Sequence, residues 1–354
     1  MIFHLHQLIT YVVKMLQSII NNELYLFALL SAFIIGGIFK HKGYIYELYV
    51  WLSNKTHNHK LILFILSTIS GCLPIEGRVT VGAPILDGII KQKNSKIGIL
   101  NYLSTHHYYL WSPIEPSVLI FITALGISWT SFIDQTYPLL VIYFCYLIGY
   151  FYIVTDHKDI QFEKQDGVVS YRGGWCIFVL FISLMITVIL ETIYKFDTPL
   201  KWIFPITAIY LSIISETTPK EVISYINFKV ILAVGIIILL GTYIKTEYGT
   251  LLLDLTKDNT TLIKLLTIGF FSAFLLGSSS KYAGIGSGIL VGLGNIKLLP
   301  LVVAVEFVGY MLSPTHKCMG ICSLYFNTKI TEMYKALIPL SLLLISIAYF
   351  IVYQ

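Results

Sequence analysis

The sequence predicts an all-α polytopic membrane protein built from two inverted-topology repeats, each with a re-entrant helical hairpin and a broken transmembrane helix. Three observations support this fold class: an apolar composition, apolar runs close to bilayer length, and polar interruptions that recur in the same order. Of 354 residues, 56% are hydrophobic and 12% charged, whereas soluble domains carry about 25% charged residues. A soluble domain on a single membrane anchor is excluded, because no long polar block could form one.

Charge and cysteine content argue against other classes of partner. The net charge is +5, and the basic residues lie in short loops between apolar runs, as is typical of cytoplasmic loops. We therefore expect no nucleic-acid partner. The five cysteines lack paired zinc spacing, and Cys318 and Cys322 stand four apart on a predicted helix. Because His106 and His107 have too few companion ligands in the sequence, we expect no metal and no other cofactor.

Apolar runs and their boundaries divide the chain into four regions. An interfacial helix is predicted within residues 1–22, because residues 3–20 carry apolar positions at roughly helical spacing. The first repeat covers 23–155, a cytoplasmic loop and linker helix cover 156–198, and the second repeat covers 199–354. The predicted membrane spans are 25–39, 44–53, 137–155, 175–194, 200–216, 229–244 and 335–353.

Two pairs of apolar arms are each too short to cross a bilayer comfortably. Arms 61–75 and 81–91 enclose the polar segment Pro74–Arg78, and arms 261–276 and 284–294 enclose Gly277–Lys281. We predict that each pair forms a re-entrant hairpin. Non-helical backbone at membrane depth requires burial in protein or a water-filled cavity, so both tips are candidate site elements.

A proline-containing break follows each hairpin. Segments 97–111 and 117–133 flank residues 112–116, and segments 298–312 and 315–327 flank the second Ser-Pro pair. Proline removes a backbone donor and clashes with the preceding helical turn, which predicts two broken helices. The Ser-Pro breaks lie about two hundred residues apart in the same order of features, which indicates an internal repeat.

Lysine distribution predicts the topology. Both flanks of the first hairpin are lysine-rich, while the flanks of the second are much less basic, so the positive-inside bias places the two hairpins on opposite faces. This predicts about nine crossings plus two hairpins, with the N-terminus inside and the C-terminus outside. We expect an integral protein of a prokaryotic-type cytoplasmic membrane, in direct contact with the lipid bilayer.

Inverted repeats with discontinuous helices are typical of secondary transporters, whose sites lie where half-helix ends meet. Arg78 and Lys281 stand at matching hairpin tips, and intramembrane cations are candidates for substrate binding. Together they favour an anionic substrate, which Arg78 could hold through two hydrogen bonds. Alternatively, Arg78 pairs with Glu76, and Lys281 caps a carbonyl or extends to the interface.

Titratable and hydroxyl side chains complete the predicted site. Glu115 and His316 occupy equivalent places in the two breaks and could carry a coupling proton, or could stabilise the breaks as hydrogen-bonded polar groups. Hydroxyls could bind substrate or a coupling Na⁺, the latter near Ser112 and Ser313, or could simply allow close helix packing. The candidate substrate-binding residues are Glu76, Arg78, Thr80, Ser112, Glu115, Ser278, Ser279, Ser280, Lys281, Ser313, Thr315 and His316.

Several short motifs resemble one family. They are Gly71-Cys72-Leu73-Pro74, Gly82-Ala83-Pro84, Asn101-Tyr102, His106, Pro116, the run Gly309-Tyr310-Met311-Leu312-Ser313-Pro314-Thr315-His316-Lys317-Cys318, and Tyr325-Phe326. Across residues 60–330 the chain resembles the permease-like "domain of unknown function 401" family, with Ser-Pro-x-His the most specific part. Its first hairpin tip departs from that pattern, carrying Glu76 and Arg78 where small residues are expected.

The resemblance implies membership of the ion transporter superfamily, alongside gluconate, citrate and dicarboxylate carriers. It implies a homodimer with a scaffold region, a mobile region that holds both hairpins, and elevator-type alternating access coupled to sodium or protons. By position, Pro74, Gly77, Gly82 and Pro84 would shape the first hairpin. Ser313, Pro314 and His316 would shape the second break.

We therefore expect a secondary transporter, and not an enzyme. Two alternatives stay open from the sequence. An intramembrane enzyme acting on a lipid-linked phosphate could use Glu76, Arg78 and the serines 278–280 to bind phosphate, although no acid/base pair stands close in sequence. A channel or a non-transporting receptor would share the same apolar pattern.

Overall fold

The computed structural model describes residues 23–56, 58–72, 79, 83, 95–113, 115–154, 171–194, 196, 199–226, 228, 259–277 and 279–354. The predicted interfacial helix within 1–22, the predicted span 229–244 and the tip of the first hairpin lie outside these residues, as does the polar loop 156–170 that follows the first repeat.

Within the described ranges the secondary structure is helical and includes no strand. The first repeat region contains α1 (Glu23–His41), α2 (Tyr44–Lys55), α3 (His59–Cys72), α4 (Ser95–Ser104), a 3₁₀ turn (His107–Leu110), α5 (Pro116–Leu125) and α6 (Trp129–Val154). The linker helix is α7 (Arg172–Thr192). The second region contains α8 (Leu200–Ile214), α9 (Pro219–Tyr225), α10 (Asn259–Leu276), α11 (Ser279–Leu293), a 3₁₀ turn (Ile296–Leu298), α12 (Leu299–Leu312), α13 (Lys317–Phe326) and α14 (Ile330–Tyr353).

Three described helices, α6, α7 and α14, are long and apolar enough to cross a membrane. The helical segment Ile296–Leu312 and α13 pass the same test together and meet at an angle of 42°, so they count as a fourth candidate span if they form one bent element. By contrast, the twelve residues of α2 extend only about 18 Å at 1.5 Å per residue, well short of a ~30 Å hydrocarbon core. The protein is thus all-α in its described part, with three to four candidate membrane spans.

The predicted single arm 117–133 is wrong, because the chain turns in its middle. Helix α5 ends at Leu125, and Gly126 follows in the left-handed conformation with φ 64°. The N–H of Gly126 donates to the Thr123 carbonyl and that of Ile127 donates to the Ile122 carbonyl, the two bonds of a Schellman helix end. Because the residues before and after Gly126 are apolar, the turn cannot be detected from the hydropathy of the sequence.

Helix packing brings the pieces of the two breaks together. Helix α13, which follows the second break, packs on α4, which precedes the first. Helix α11, the second arm of the predicted second hairpin, packs on α5, which follows the first break. Helices α10 and α12 pack on each other, as do α1 and α8. The helices that flank the two breaks therefore pack against one another, and the two breaks adjoin.

Candidate functional site

The two breaks end on matching residues. Glu115 is the N-cap of α5, and His316 is the N-cap of α13. The two residues thus occupy equivalent places in the breaks, as the sequence predicts, and each is the last residue before the helix that follows its break. In each break a helical C-terminal end and a helical N-terminal end leave backbone groups without intrahelical partners.

Four aromatic and histidine side chains join the two breaks directly. The Tyr102 hydroxyl donates to the Met311 carbonyl at 2.8 Å and lies 2.9 Å from Nδ1 of His316. The Tyr109 and Tyr310 hydroxyls are 2.9 Å apart. All except Tyr109 are buried. Residues about two hundred positions apart in sequence thus share one polar cluster in the protein interior.

Of the two adjacent histidines, His106 faces the second break and His107 does not. Nε2 of His106 lies 3.3 Å from Nε2 of His316. Nδ1 of His107 instead accepts a hydrogen bond from the Trp111 indole at 2.9 Å, and its Nε2 lies 3.4 Å from the Thr68 carbonyl. His107 therefore holds the first break against α3.

This arrangement of two joined breaks belongs to a chain whose residues 2–354 match the family described as "Protein of unknown function (DUF401)". The chain is a member of the DUF401 family. A separate search finds no curated protein that matches the chain. The match covers nearly the whole chain and so includes every residue of the described site.

Glu115 of this DUF401 protein is buried at the first break. Its side chain is 1% exposed, and its Oε1 accepts a hydrogen bond from the Ser117 hydroxyl at 3.2 Å. Helix α11 packs on α5, and the ring of Tyr282 in α11 packs against that of Tyr310 in α12, with centroids 5.3 Å apart. Tyr282 thereby connects α11 to α12 beside the first break.

Glu306 is a site residue that the predicted set omits. It lies in the middle of α12, is fully buried, and neither of its carboxylate oxygens has a hydrogen-bond partner among the described residues. Its side chain fills a notch left by Gly269 of α10 and Gly286 of α11, where an added Cβ would meet the carboxylate. The available signal is one charged residue within an apolar helix, a position that is expensive in a membrane segment.

The second break is tied to the end of α10. The Ser313 hydroxyl donates to the Phe274 carbonyl at 2.5 Å, and the Thr315 hydroxyl donates to the Leu275 carbonyl at 3.2 Å. These carbonyls belong to the last turn of α10, where no intrahelical donor is available. Ser313 and Thr315 thus cap the C-terminal end of a neighbouring helix. Any binding of Na⁺ or substrate by these two hydroxyls would be in addition to this structural role.

Ser112, the counterpart of Ser313, has different surroundings. It is fully buried, and its hydroxyl has no hydrogen-bond partner within the described part of the chain. Because its hydroxyl is available, Ser112 remains a candidate ligand for the coupling ion.

Seven predicted residues await placement in this geometry. Glu76, Arg78, Thr80 and Ser278 lie outside the described residues. Ser279, Ser280 and Lys281 form the first turn of α11, but their side chains fall outside the described part. The predicted pair of cationic hairpin tips therefore stays a prediction.

Three potential metal ligands meet at the junction of the breaks, although sequence spacing predicts no such group. The ligand atoms of His106, His316 and Cys318 all lie within 4.8 Å of one another, and all three residues are buried. Because His106 and His316 are 210 positions apart in sequence, no local motif predicts the group.

Proposed function

We propose that this DUF401 protein is a secondary active transporter that moves a small organic anion, with a proton or Na⁺ as the coupling ion. One observation carries the proposal: two helix breaks meet around a buried polar cluster joined by Tyr102, His106 and His316. Broken helices that meet within a membrane protein are the usual construction of a transporter binding site.

The helix ends favour an anion. Helices α5 and α13 both begin at the breaks, and a helix N-terminus carries about half a positive elementary charge. Uncapped backbone N–H groups at such ends bind carboxylates and phosphates. Arg78 and Lys281, at the predicted hairpin tips, would add the full positive charges that a substrate carboxylate requires.

Glu306 supports coupling to protons. A buried carboxylate without a partner is unstable as an anion, so it is held neutral by a proton or neutralised by a cation. Opening of the notch between Gly269 and Gly286 to water would favour release of that proton. A carrier that alternates between a closed and an open notch would thereby take up and release one proton per cycle.

The larger architecture is part of the same proposal. We infer two inverted repeats with about nine crossings, membership of the ion transporter superfamily, a homodimer and elevator-type movement. Matching contacts support the repeats: α6 packs on α4 as α14 packs on α12, and α6 and α14 also pack on each other. The first helices of the two halves, α1 and α8, form another such pair.

Solute uptake tests the proposal directly. The full chain would be reconstituted into proteoliposomes and offered radiolabelled carboxylates and other organic anions under imposed proton and Na⁺ gradients. We expect gradient-dependent accumulation of at least one anion. The absence of such uptake across a broad panel would contradict transport, and uncoupled single-channel currents would identify a channel instead.

The role of Glu306 has a separate test. We expect Glu306→Gln, which keeps the size but cannot release a proton, to abolish proton-driven uptake while leaving solute exchange intact. Glu332→Gln is the matched control, because Glu332 is only partly buried in the first turn of α14. Normal proton-driven uptake by Glu306→Gln would remove Glu306 from the coupling mechanism.

A glycine pair tests the notch itself. A Cβ at Gly286 would collide with the Glu306 carboxylate, whereas a Cβ at Gly288, two residues further along α11, meets nothing within 4 Å. We expect Gly286→Ala to reduce uptake strongly and Gly288→Ala to leave it near the parental rate. Equal rates for the two variants would show that the notch is not required.

A further inference from the structure

His106, His316 and Cys318 form a compact group where the breaks join. His106 lies between α4 and the 3₁₀ turn, His316 is the N-cap of α13, and Cys318 lies in its first turn. Their exposed fractions are 1%, 3% and 6%. Such burial of three coordinating side chains at the contact between two distant segments calls for a chemical explanation.

The hydrogen bonds of His106 fix which of its nitrogens carries a proton. Its Nδ1 lies 2.5 Å from the Tyr102 carbonyl oxygen, and a carbonyl can only accept. The proton of the neutral ring therefore belongs on Nδ1. Nε2 of His106 then presents a lone pair, and it is this atom that faces His316.

The hydrogen bonds of His316 lead to the same assignment. The Tyr102 hydroxyl has one proton, which it donates to the Met311 carbonyl at 2.8 Å. Nδ1 of His316 lies 2.9 Å from that hydroxyl oxygen, which can accept a hydrogen bond from it. In this tautomer Nε2 of His316 carries the lone pair.

Nε2 of His106 and Nε2 of His316 stand 3.3 Å apart. Two imidazole nitrogens bound to one metal ion at about 2.0–2.1 Å, with a tetrahedral angle, would stand about 3.3 Å apart. The Cys318 sulfur supplies a third ligand and lies within 4.8 Å of a ring nitrogen of each histidine. Rotation of one side chain that brings the Cys318 sulfur about 1 Å closer to the histidine nitrogens would complete three-ligand coordination.

We propose that His106, His316 and Cys318 bind one d¹⁰ transition-metal ion, Zn²⁺ or Cu⁺, that joins the two helix breaks. Imidazole and thiolate are ligands that these ions prefer, whereas Na⁺ and Mg²⁺ prefer oxygen. Tyr102 supplies a hydrogen bond to Nδ1 of each ring, the outer arrangement that orients ligating histidines. The metal site is separate from Glu306, the residue proposed to carry the coupling proton, and its test does not require transport.

Charge balance fits both ions. Cu⁺ with one thiolate and two neutral imidazoles has no net charge, which suits a buried position. Zn²⁺ with the same ligands leaves one positive charge and an open fourth position for a water or a substrate atom. Direct metal analysis under reducing and non-reducing conditions separates these two cases.

Metal content is the first measurement. The untagged full chain, purified in detergent and stripped with a chelator, would be loaded with Zn²⁺, or with Cu⁺ under reducing conditions, and analysed by mass spectrometry. We expect about one ion per chain for one of the two metals. We expect Cys318→Ser and His106→Gln to lower this content to background.

The chain offers matched controls for each ligand. Cys322 is buried on α13 one turn after Cys318, where it accepts a hydrogen bond from Asn101, and His107 adjoins His106 but faces Trp111. Cys322→Ser and His107→Gln should retain the metal. Tyr102→Phe, which removes the hydroxyl beside His316, should weaken binding about 10- to 100-fold.

Absorption spectroscopy with Co²⁺ as the bound ion tests the thiolate ligand independently of the binding affinity. Bound to the parental chain, it should give a thiolate-to-cobalt charge-transfer band that persists in Cys322→Ser and disappears in Cys318→Ser. Size-exclusion chromatography and thermal unfolding would establish that each variant is folded. A folded parental chain that binds neither metal, or equal binding by parental chain, Cys318→Ser and His106→Gln, would overturn the proposal and would leave the transport proposal intact.

Discussion

The first and second breaks occupy equivalent places in the chain but differ in how they are held. In the second break Pro314 and Thr315 are exposed, and two hydroxyls donate to the end of α10. In the first break Ser112, Pro113 and Glu115 are all buried, and the Ser112 hydroxyl has no described partner. The second break is thus anchored to a neighbouring helix, while the first is enclosed by the protein.

This difference suggests that the second break mainly stabilises the fold and that the first break mainly serves function. The hydrogen bonds of Ser313 and Thr315 tie the second break to the last turn of α10. The enclosed first break has a buried carboxyl and a hydroxyl without a partner among the described residues, and an ion or a substrate could bind these groups. Substitutions that weaken the anchored break should therefore lower stability, and those in the enclosed break should change function.

The largest expected effect is at Gly277, where α10 meets the second break. Its φ is +54°, and an added Cβ would lie 2.6 Å from the Thr315 hydroxyl oxygen and 3.0 Å from the Thr315 carbonyl carbon. Gly277→Ala should destabilise the protein by about 2–5 kcal/mol, from left-handed strain and overpacking together. Chemical denaturation in detergent micelles measures it.

Gly126, at the end of α5, is the control for that effect. Its φ is +64°, but nothing lies within 4 Å of an added Cβ. Gly126→Ala should therefore show only the conformational strain, about 1–2 kcal/mol. Equal destabilisation by the two substitutions would contradict the idea that the second break packs tightly against α10.

A smaller effect is expected from the paired serines. Ser313→Ala leaves the Phe274 carbonyl without its donor and should destabilise the protein by about 1–3 kcal/mol. Ser112→Ala removes a hydroxyl with no described partner and should be near neutral for stability. If the proposed function is correct, the order reverses in an uptake assay, where Ser112→Ala weakens the dependence on the coupling ion.

The smallest effect is at Thr315. Its hydroxyl donates to the Leu275 carbonyl in an exposed position, where water can replace the lost bond. Thr315→Val should lower stability by about 0.5–1 kcal/mol, and Thr315→Ser, which keeps the hydroxyl, should be close to parental. Thermal unfolding followed by tryptophan fluorescence measures both, and a large loss in Thr315→Ser would point to packing by the methyl group.

Features of this protein that are caused by residues close together in sequence could be predicted, and those caused by contacts between distant segments could not. Proline, serine and the capping positions of Glu115 and His316 act within a few residues, so both breaks could be located in advance. The end of α5 at Gly126 was equally local, yet the apolar run across it concealed the turn. Glu306 and Cys318 acquire their importance from residues on other helices, which sequence spacing does not reveal.

The sequence alone determined the class of protein, the positions of helix α10 and of both breaks, and membership of DUF401, because hydropathy and proline chemistry act along the chain. Only the tertiary structure decided that His106 rather than His107 meets His316, that Cys318 joins them, and that Glu306 enters a glycine notch. These contacts depend on how helices rotate and pack against one another, and packing joins residues that are hundreds of positions apart.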